Sequence, residues 1–213
     1  MLKDACSNGA SEMVSNLSTA IVTFLFNIIM LKLLGEDGVT AITIVLYGQL
    51  LFSAIFFGFS IGVAPVISYN HGSQNVIQLK KIFRICITFI IISSAILTLI
   101  ALISSSTIVA VFVPKDSSTY PIATHGSLLF AINYLFVGLN IFSSSLFTAL
   151  SNGKVSAIIS FMRTFVCIIA CLLLLPKLLG VTGVWLAIPL AELITLFLSI
   201  HYIHKQKNIY HYL

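Results

Sequence analysis

The feature that most constrains this chain is the distribution of its charges. Residues 38–79, 85–114 and 117–153 contain no Asp, Glu, Lys or Arg. A helix crosses a bilayer with ~20 apolar residues, so each stretch exceeds the length of one crossing. Membrane-spanning β-strands are short and alternate in polarity, which these continuous runs do not. Of the 213 residues, 59% are hydrophobic and only 8% charged, whereas a soluble domain keeps about a quarter of its residues charged. The chain is therefore predicted to be an all-α, polytopic helical membrane protein.

Six transmembrane helices are predicted, at about 11–34, 39–70, 79–106, 121–151, 154–176 and 181–204, making residues 1–213 a single unit. The turn signals set these limits: Gly35-Glu36-Asp37-Gly38, His71-Gly72 with the polar stretch Ser73–Gln78, Pro114-Lys115-Asp116-Ser117, Asn152-Gly153-Lys154, and Pro176-Lys177. An internal echo, LLGxxGV, recurs at Leu33–Val39 and Leu178–Val184. Two glycines suit any tight interhelical turn. Gly58, Gly62 and Pro65 predict a bend late in the second helix, with the Gly58–Gly62 spacing admitting a close neighbour. Pro189, three residues before Glu192, predicts a local break in the sixth.

The flanking cations predict the orientation. Lys3, Lys80, Lys81, Arg84, Lys154, Lys205 and Lys207 fall on one side; Lys32, Lys115 and Lys177 fall on the other. The positive-inside rule then puts both termini in the cytoplasm of a multi-pass plasma-membrane protein. These flanking residues also account for the net charge of +5, so no nucleic-acid partner is expected. The early residues Lys3, Asp4, Ser7 and Asn8 do not read as a signal peptide. Cys167 and Cys171 share a helix face and read as packing. His201 and His204 lie at the membrane edge and do not read as a metal site. There is no GxSxG, HExxH or P-loop, and no enzyme is predicted.

Polar residues inside the spans are the functional candidates, because ionisable groups at membrane depth cost ~2.5–3.5 kcal/mol each and persist when paired or useful. Glu12, Asn16, Thr19, Thr23 and Asn27 recur at steps of three and four, forming one polar stripe on the first helix. The second helix adds Tyr47, Pro65 and Tyr69, and the fourth Asn133, Asn140 and the run Ser143-Ser144-Ser145. Arg163 lies within the fifth helix and Glu192 within the sixth. Each carboxylate has a structural reading as well: Glu12 at a helix start, Glu192 in an ion pair with Arg163.

Pro65-Val66-Ile67-Ser68-Tyr69-Asn70-His71-Gly72 resembles the P-x-x-S-Y-N-x-G signature of the multidrug and toxic compound extrusion (MATE) transporters. Asn8–Val14 with Phe26-Asn27 and Gly35-Glu36 is similar to the start of that family's seventh helix. Ser151–Lys154 and Gly183-Val184-Trp185 are similar to its later connectors. The resemblance covers about residues 4–195 and is nearest to the bacterial, clostridial-like branch. It implies one lobe, the carboxy-terminal one, of a two-lobe transporter.

It further implies a multidrug-efflux antiporter that expels organic, often cationic compounds in exchange for protons or sodium. The expected partners are the lipid bilayer, a small organic substrate and an amino-terminal six-helix lobe, with no cofactor beyond H+ or Na+ as coupling ion. The cavity candidates are Glu12, Asn16, Asn27, Tyr47, Pro65, Tyr69, Asn133, Asn140, Arg163 and Glu192. Some sodium-coupled members carry an acidic residue on the helix matching helix four. This chain has none between Asp116 and Glu192, and Asn133 and Asn140 are the nearest polar residues. The alternatives are a lipid-linked oligosaccharide flippase of similar architecture, which would need a cationic cavity, and a non-transporting half-length remnant or scaffold.

Overall fold

The computed structural model describes the backbone of residues 2–212 and the side chains of residues 20–212. The described residues are helical with short connections and contain no strand. Helix α1 spans Leu2–Gly72 and is divided at Gly35, whose φ of 68° and ψ of −150° lie outside the helical region. It therefore consists of two arms, 2–34 and 36–72. Then come α2 (Val76–Phe112), α3 (Thr119–Ala131), α4 (Tyr134–Ala149), α5 (Gly153–Phe161), a π-helical segment (Met162–Cys167), α6 (Ile168–Leu179) and α7 (Val181–Tyr210). Four of the helical stretches, Ala20–Gly72, Val76–Phe112, Gly153–Leu179 and Val181–Tyr210, are long and apolar enough to cross a membrane; α3 and α4, bent by 54°, make a fifth if they form one span.

The two LLGxxGV turns share one construction. Gly35 and Gly180 both take positive φ, 68° and 58°, with ψ of −150° and −135°. This region is accessible in practice only to glycine. The second glycine of each motif lies where the two arms meet. A Cβ on Gly38 would sit 2.8 Å from the Met30 carbonyl oxygen, and one on Gly183 would collide with that of Leu175. The sequence echo is thus an echo of hairpin geometry, and both turns lie at the same end of the bundle. There, the Ser118 hydroxyl donates to Asp37 Oδ2 at 2.7 Å and the Thr119 hydroxyl to Oδ1 at 2.6 Å, fastening the first turn to the start of α3.

Three apolar clusters stack along the bundle. Phe26, Met30, Ile42, Trp185 and Ile188 pack near the hairpin turns. Phe52, Phe56, Leu97, Tyr134 and Val137 fill the middle. Ile67, Phe83, Phe142, Phe147 and Tyr212 close the other end. Trp185 is 1% exposed and fits over Gly126, where a Cβ would lie 2.7 Å from the indole ring. Large apolar side chains such as Ile103 and Val111 are exposed, as a surface bathed in hydrocarbon requires.

Several expected details differ. α7 runs without a break through Pro189; the carbonyl that loses its partner there is accommodated within a regular helix. Around Gly58, Gly62 and Pro65 the second arm keeps helical backbone angles. Both glycines are exposed, and nothing lies within 4 Å of a Cβ built on either, so the close neighbour is not within the described residues. Pro176 does not end the fifth span, which continues to Leu179. The irregularities lie elsewhere, at Ile132–Asn133 and in the π segment.

Candidate functional site

Between the apolar clusters, at mid-height of α7, lies a buried polar network. α7 places Glu192, Thr195 and Ser199 on one face at steps of three and four, all 1% exposed or less. Arg163, on the π segment of the preceding span, reaches Glu192 Oε1 through Nε at 2.7 Å. From α4, Asn140 donates through Nδ2 to Glu192 Oε2 at 2.7 Å and to the Glu192 carbonyl at 2.9 Å. Ser199 closes the chain by donating to Asn140 Oδ1 at 2.8 Å.

This arrangement balances its charges. A buried carboxylate is tolerated when it is both paired and hydrogen-bonded, and here each carboxylate oxygen has its own donor. Arg163 remains partly accessible, with 14% of its side chain exposed, against 1% for Glu192. The π turn carries Arg163 toward α7; such bulges insert a residue into a helix and recur at functional positions.

A second polar cluster joins α4 to α5. Ser144 Oγ lies 3.0 Å from Ser156 Oγ and 2.7 Å from Ser160 Oγ, and Thr148 Oγ1 lies 2.7 Å from Ser156 Oγ. Of the serine run of the fourth helix, Ser144 thus serves the contact with α5, Ser145 donates to the Ser60 carbonyl of α1, and Ser143 donates back to the Leu139 carbonyl of its own helix.

The sequence candidates fall into separate groups. Asn140, Arg163 and Glu192 come together. Asn133 is fully buried at the α3–α4 bend, and neither its Oδ1 nor its Nδ2 has a partner among the described residues. Asn27 is half-buried, and its Oδ1 is likewise without a partner there. Tyr47 is 56% exposed and stacks on Phe112, whereas Tyr69 is 76% exposed. They lie 22 residues apart on one arm, about 33 Å of helix, and neither is among the hydrogen-bonding partners of Glu192. Pro65 is exposed on the same arm. The Glu12 and Asn16 side chains lie outside the described residues. Ser199 was not anticipated; its spacing of seven from Glu192 places it on the same face and is the signal that could have found it. Among the described residues no group of three His, Cys, Asp or Glu is placed to hold a metal ion.

Comparison with known proteins places this geometry in context. The family model described as MatE matches residues 13–173. Among curated proteins, the multidrug export protein MepA of Staphylococcus haemolyticus (strain JCSC1435) is 27% identical over 154 residues, which is 72% of this chain and 33% of that protein. A solved outward-facing conformation of a multidrug resistance MATE family transporter of the MOP superfamily is similar with a TM-score of 0.88 at 18% identity, over 98% of this chain and 47% of that one. An inward-facing conformation of such a transporter gives 0.87 at 18% identity, over 98% and 48%. At that identity the likeness is one of fold. The chain spans a third of the length of the curated relative and just under half of each solved structure.

Proposed function

The chain belongs to the MatE family, and on that premise we propose that it is the carboxy-terminal six-helix lobe of a secondary antiporter in the plasma membrane. In this reading the whole transporter exports small organic, often cationic compounds in exchange for protons or sodium. An amino-terminal lobe completes the cavity, and both termini of this lobe are cytoplasmic. The observation that carries the reading is the family match over residues 13–173.

The surface of the second arm supports it. Tyr47, Leu51, Ala54, Gly58, Gly62, Pro65 and Tyr69 recur at helical spacing and are all exposed. Small residues occupy the centre of this stripe and tyrosines its ends. Such a stripe suits one wall of a cavity shared with a second lobe, together with the polar stripe that begins at Glu12 and Asn16 on the first arm. Alternating access by rocking of one lobe against the other requires each lobe to keep its shape, and this fold is equally similar to an outward-facing and an inward-facing relative. Glu192, with both oxygens engaged, then serves as an internal brace, and Glu12 is the carboxylate that meets the coupling ion. A flippase-like cationic cavity is not favoured, because Arg163 is neutralised by Glu192.

The test is ethidium efflux from cells that express the chain alone, or the chain with an amino-terminal MATE lobe. Efflux is expected only with both lobes. It should be lost on Glu12→Gln and should depend on either a proton or a sodium gradient. Efflux that survives collapse of both gradients would sink the antiporter reading.

A further inference from the structure

We propose that the cleft between the α1–α2 turn and the end of α7 binds the phosphate of an anionic phospholipid in the leaflet at that end of the bundle. The cleft measures about 70 Å³ and is lined by Asn70, His71, Gln74, Leu79, Tyr210 and His211, among others. On its walls His71 meets Tyr210 edge-on at 5.4 Å, and Gln74 and His211 both take left-handed backbone angles, φ 55° and 54°. The amino terminus of α2, capped by Asn75, opens beside it and adds the positive end of a helix dipole.

Charge gives the site its sign. Lys80, Lys81 and Arg84 occupy the first turns of α2, and Lys205 and Lys207 the last turns of α7, while residues 38–115 and 193–213 hold no Asp or Glu. The residues that line the cleft supply imidazoles, amides and a phenol, with no carboxylate side chain among them, and the cations stand on the same helix ends. That donor set recognises an anionic oxygen cluster.

Position selects a lipid over a free ion. The 36–72 arm is about 55 Å long at 1.5 Å per residue, against a hydrocarbon core of about 30 Å, so its end projects to headgroup level. Val76, Leu79 and Ile209 also line the cleft, and Ile209 is 65% exposed, as is Ile77 beside Val76 at 84%. A diester phosphate in the cleft would place its acyl chains along these apolar side chains. Basic pockets between transmembrane helices at an anionic leaflet are suited to this task. The proposal goes beyond the transport reading and does not depend on which solute is carried.

The test uses the full chain in nanodiscs, with native mass spectrometry counting retained phosphatidylglycerol against phosphatidylcholine. Wild type should retain phosphatidylglycerol selectively. The Lys80→Gln/Lys81→Gln/Arg84→Gln variant and the His71→Gln/His211→Gln variant should each reduce that selectivity at least about fivefold, the factor that one basic side chain beside an anionic leaflet is worth. Lys115→Gln/Lys177→Gln, at the opposite end, should leave it unchanged. Equal retention of the two lipids by wild type, or an equal loss in the opposite-end variant, overturns the proposal. So does stabilisation by inorganic phosphate in phosphatidylcholine discs that matches that of phosphatidylglycerol, which would assign the cleft to the free ion. All the substituted cations are exposed, and circular dichroism of each variant verifies the fold.

Discussion

Arg163 and Glu192 face each other across the hairpin formed by the last two spans, with Nε 2.7 Å from Oε1. The pair lies between two apolar clusters, where neither ion is fully hydrated, and it is completed by Asn140. Its value therefore depends on keeping both members, since each alone would be an uncompensated buried charge.

The first prediction concerns that dependence. Glu192→Met and Arg163→Met should each destabilise the lobe, the former by ~3–5 kcal/mol, the cost of orphaning a buried charge. Arg163→Met/Glu192→Met together should recover most of it. Thermal unfolding in detergent would measure the cycle; additive losses in the double variant would show that the two residues act independently.

Asn140 holds the network to α4. Asn140→Leu removes the donor to Glu192 and the acceptor for Ser199, and should cost ~1–3 kcal/mol. Ser199→Ala removes one neutral hydrogen bond and should cost about 1 kcal/mol. If Ser199→Ala proves the more damaging of the two, the assigned hierarchy is wrong.

The paired hairpins give a third prediction. Gly35→Ala and Gly180→Ala each force a side chain into a glycine-only region at about 1–3 kcal/mol, and Gly183→Ala adds a contact with backbone that cannot move aside. Gly58→Ala and Gly62→Ala, in open helical positions, should instead be neutral or stabilising by up to about 1 kcal/mol in this lobe alone. Melting temperatures of the five variants should separate into these two groups.

Asp37, at the turn and outside the spans, is held below the usual carboxylate range, chiefly by the Thr119 hydroxyl and next by that of Ser118. A depressed folded-state pKa gives stability that is present above the unfolded value and is lost as pH falls through the folded one. The difference in melting temperature between wild type and Asp37→Asn should therefore be constant above about pH 5 and close only below the ordinary Asp value of ~3.9. A difference that closes between pH 6 and 7 would point to another group.

The all-helical membrane architecture was legible because the missing charges and the turn glycines are local signals. Glu192 and Arg163 stood out for the same reason, as rare ions in apolar runs. What was not legible depends on tertiary context. Pro189 marks a kink in an isolated helix, yet α7 absorbs it. Conversely, nothing in Ile132-Asn133 resembles a breaker, and the chain bends there. Gly58 and Gly62 have the spacing of a packing motif, but only the structure reveals that this lobe leaves them uncovered.

The π segment also affects how the fifth span is counted. A π turn amounts to one residue inserted into an α-helix, so positions after Ile168 are rotated by about 100° relative to those before Phe161. A relative that lacks the bulge should align with this chain only through a one-residue gap inside a membrane span, where gaps are ordinarily forbidden. Deleting one residue within Met162–Cys167 should therefore yield a continuous α-helix rather than a ruptured span, with Arg163 turned away from its carboxylate.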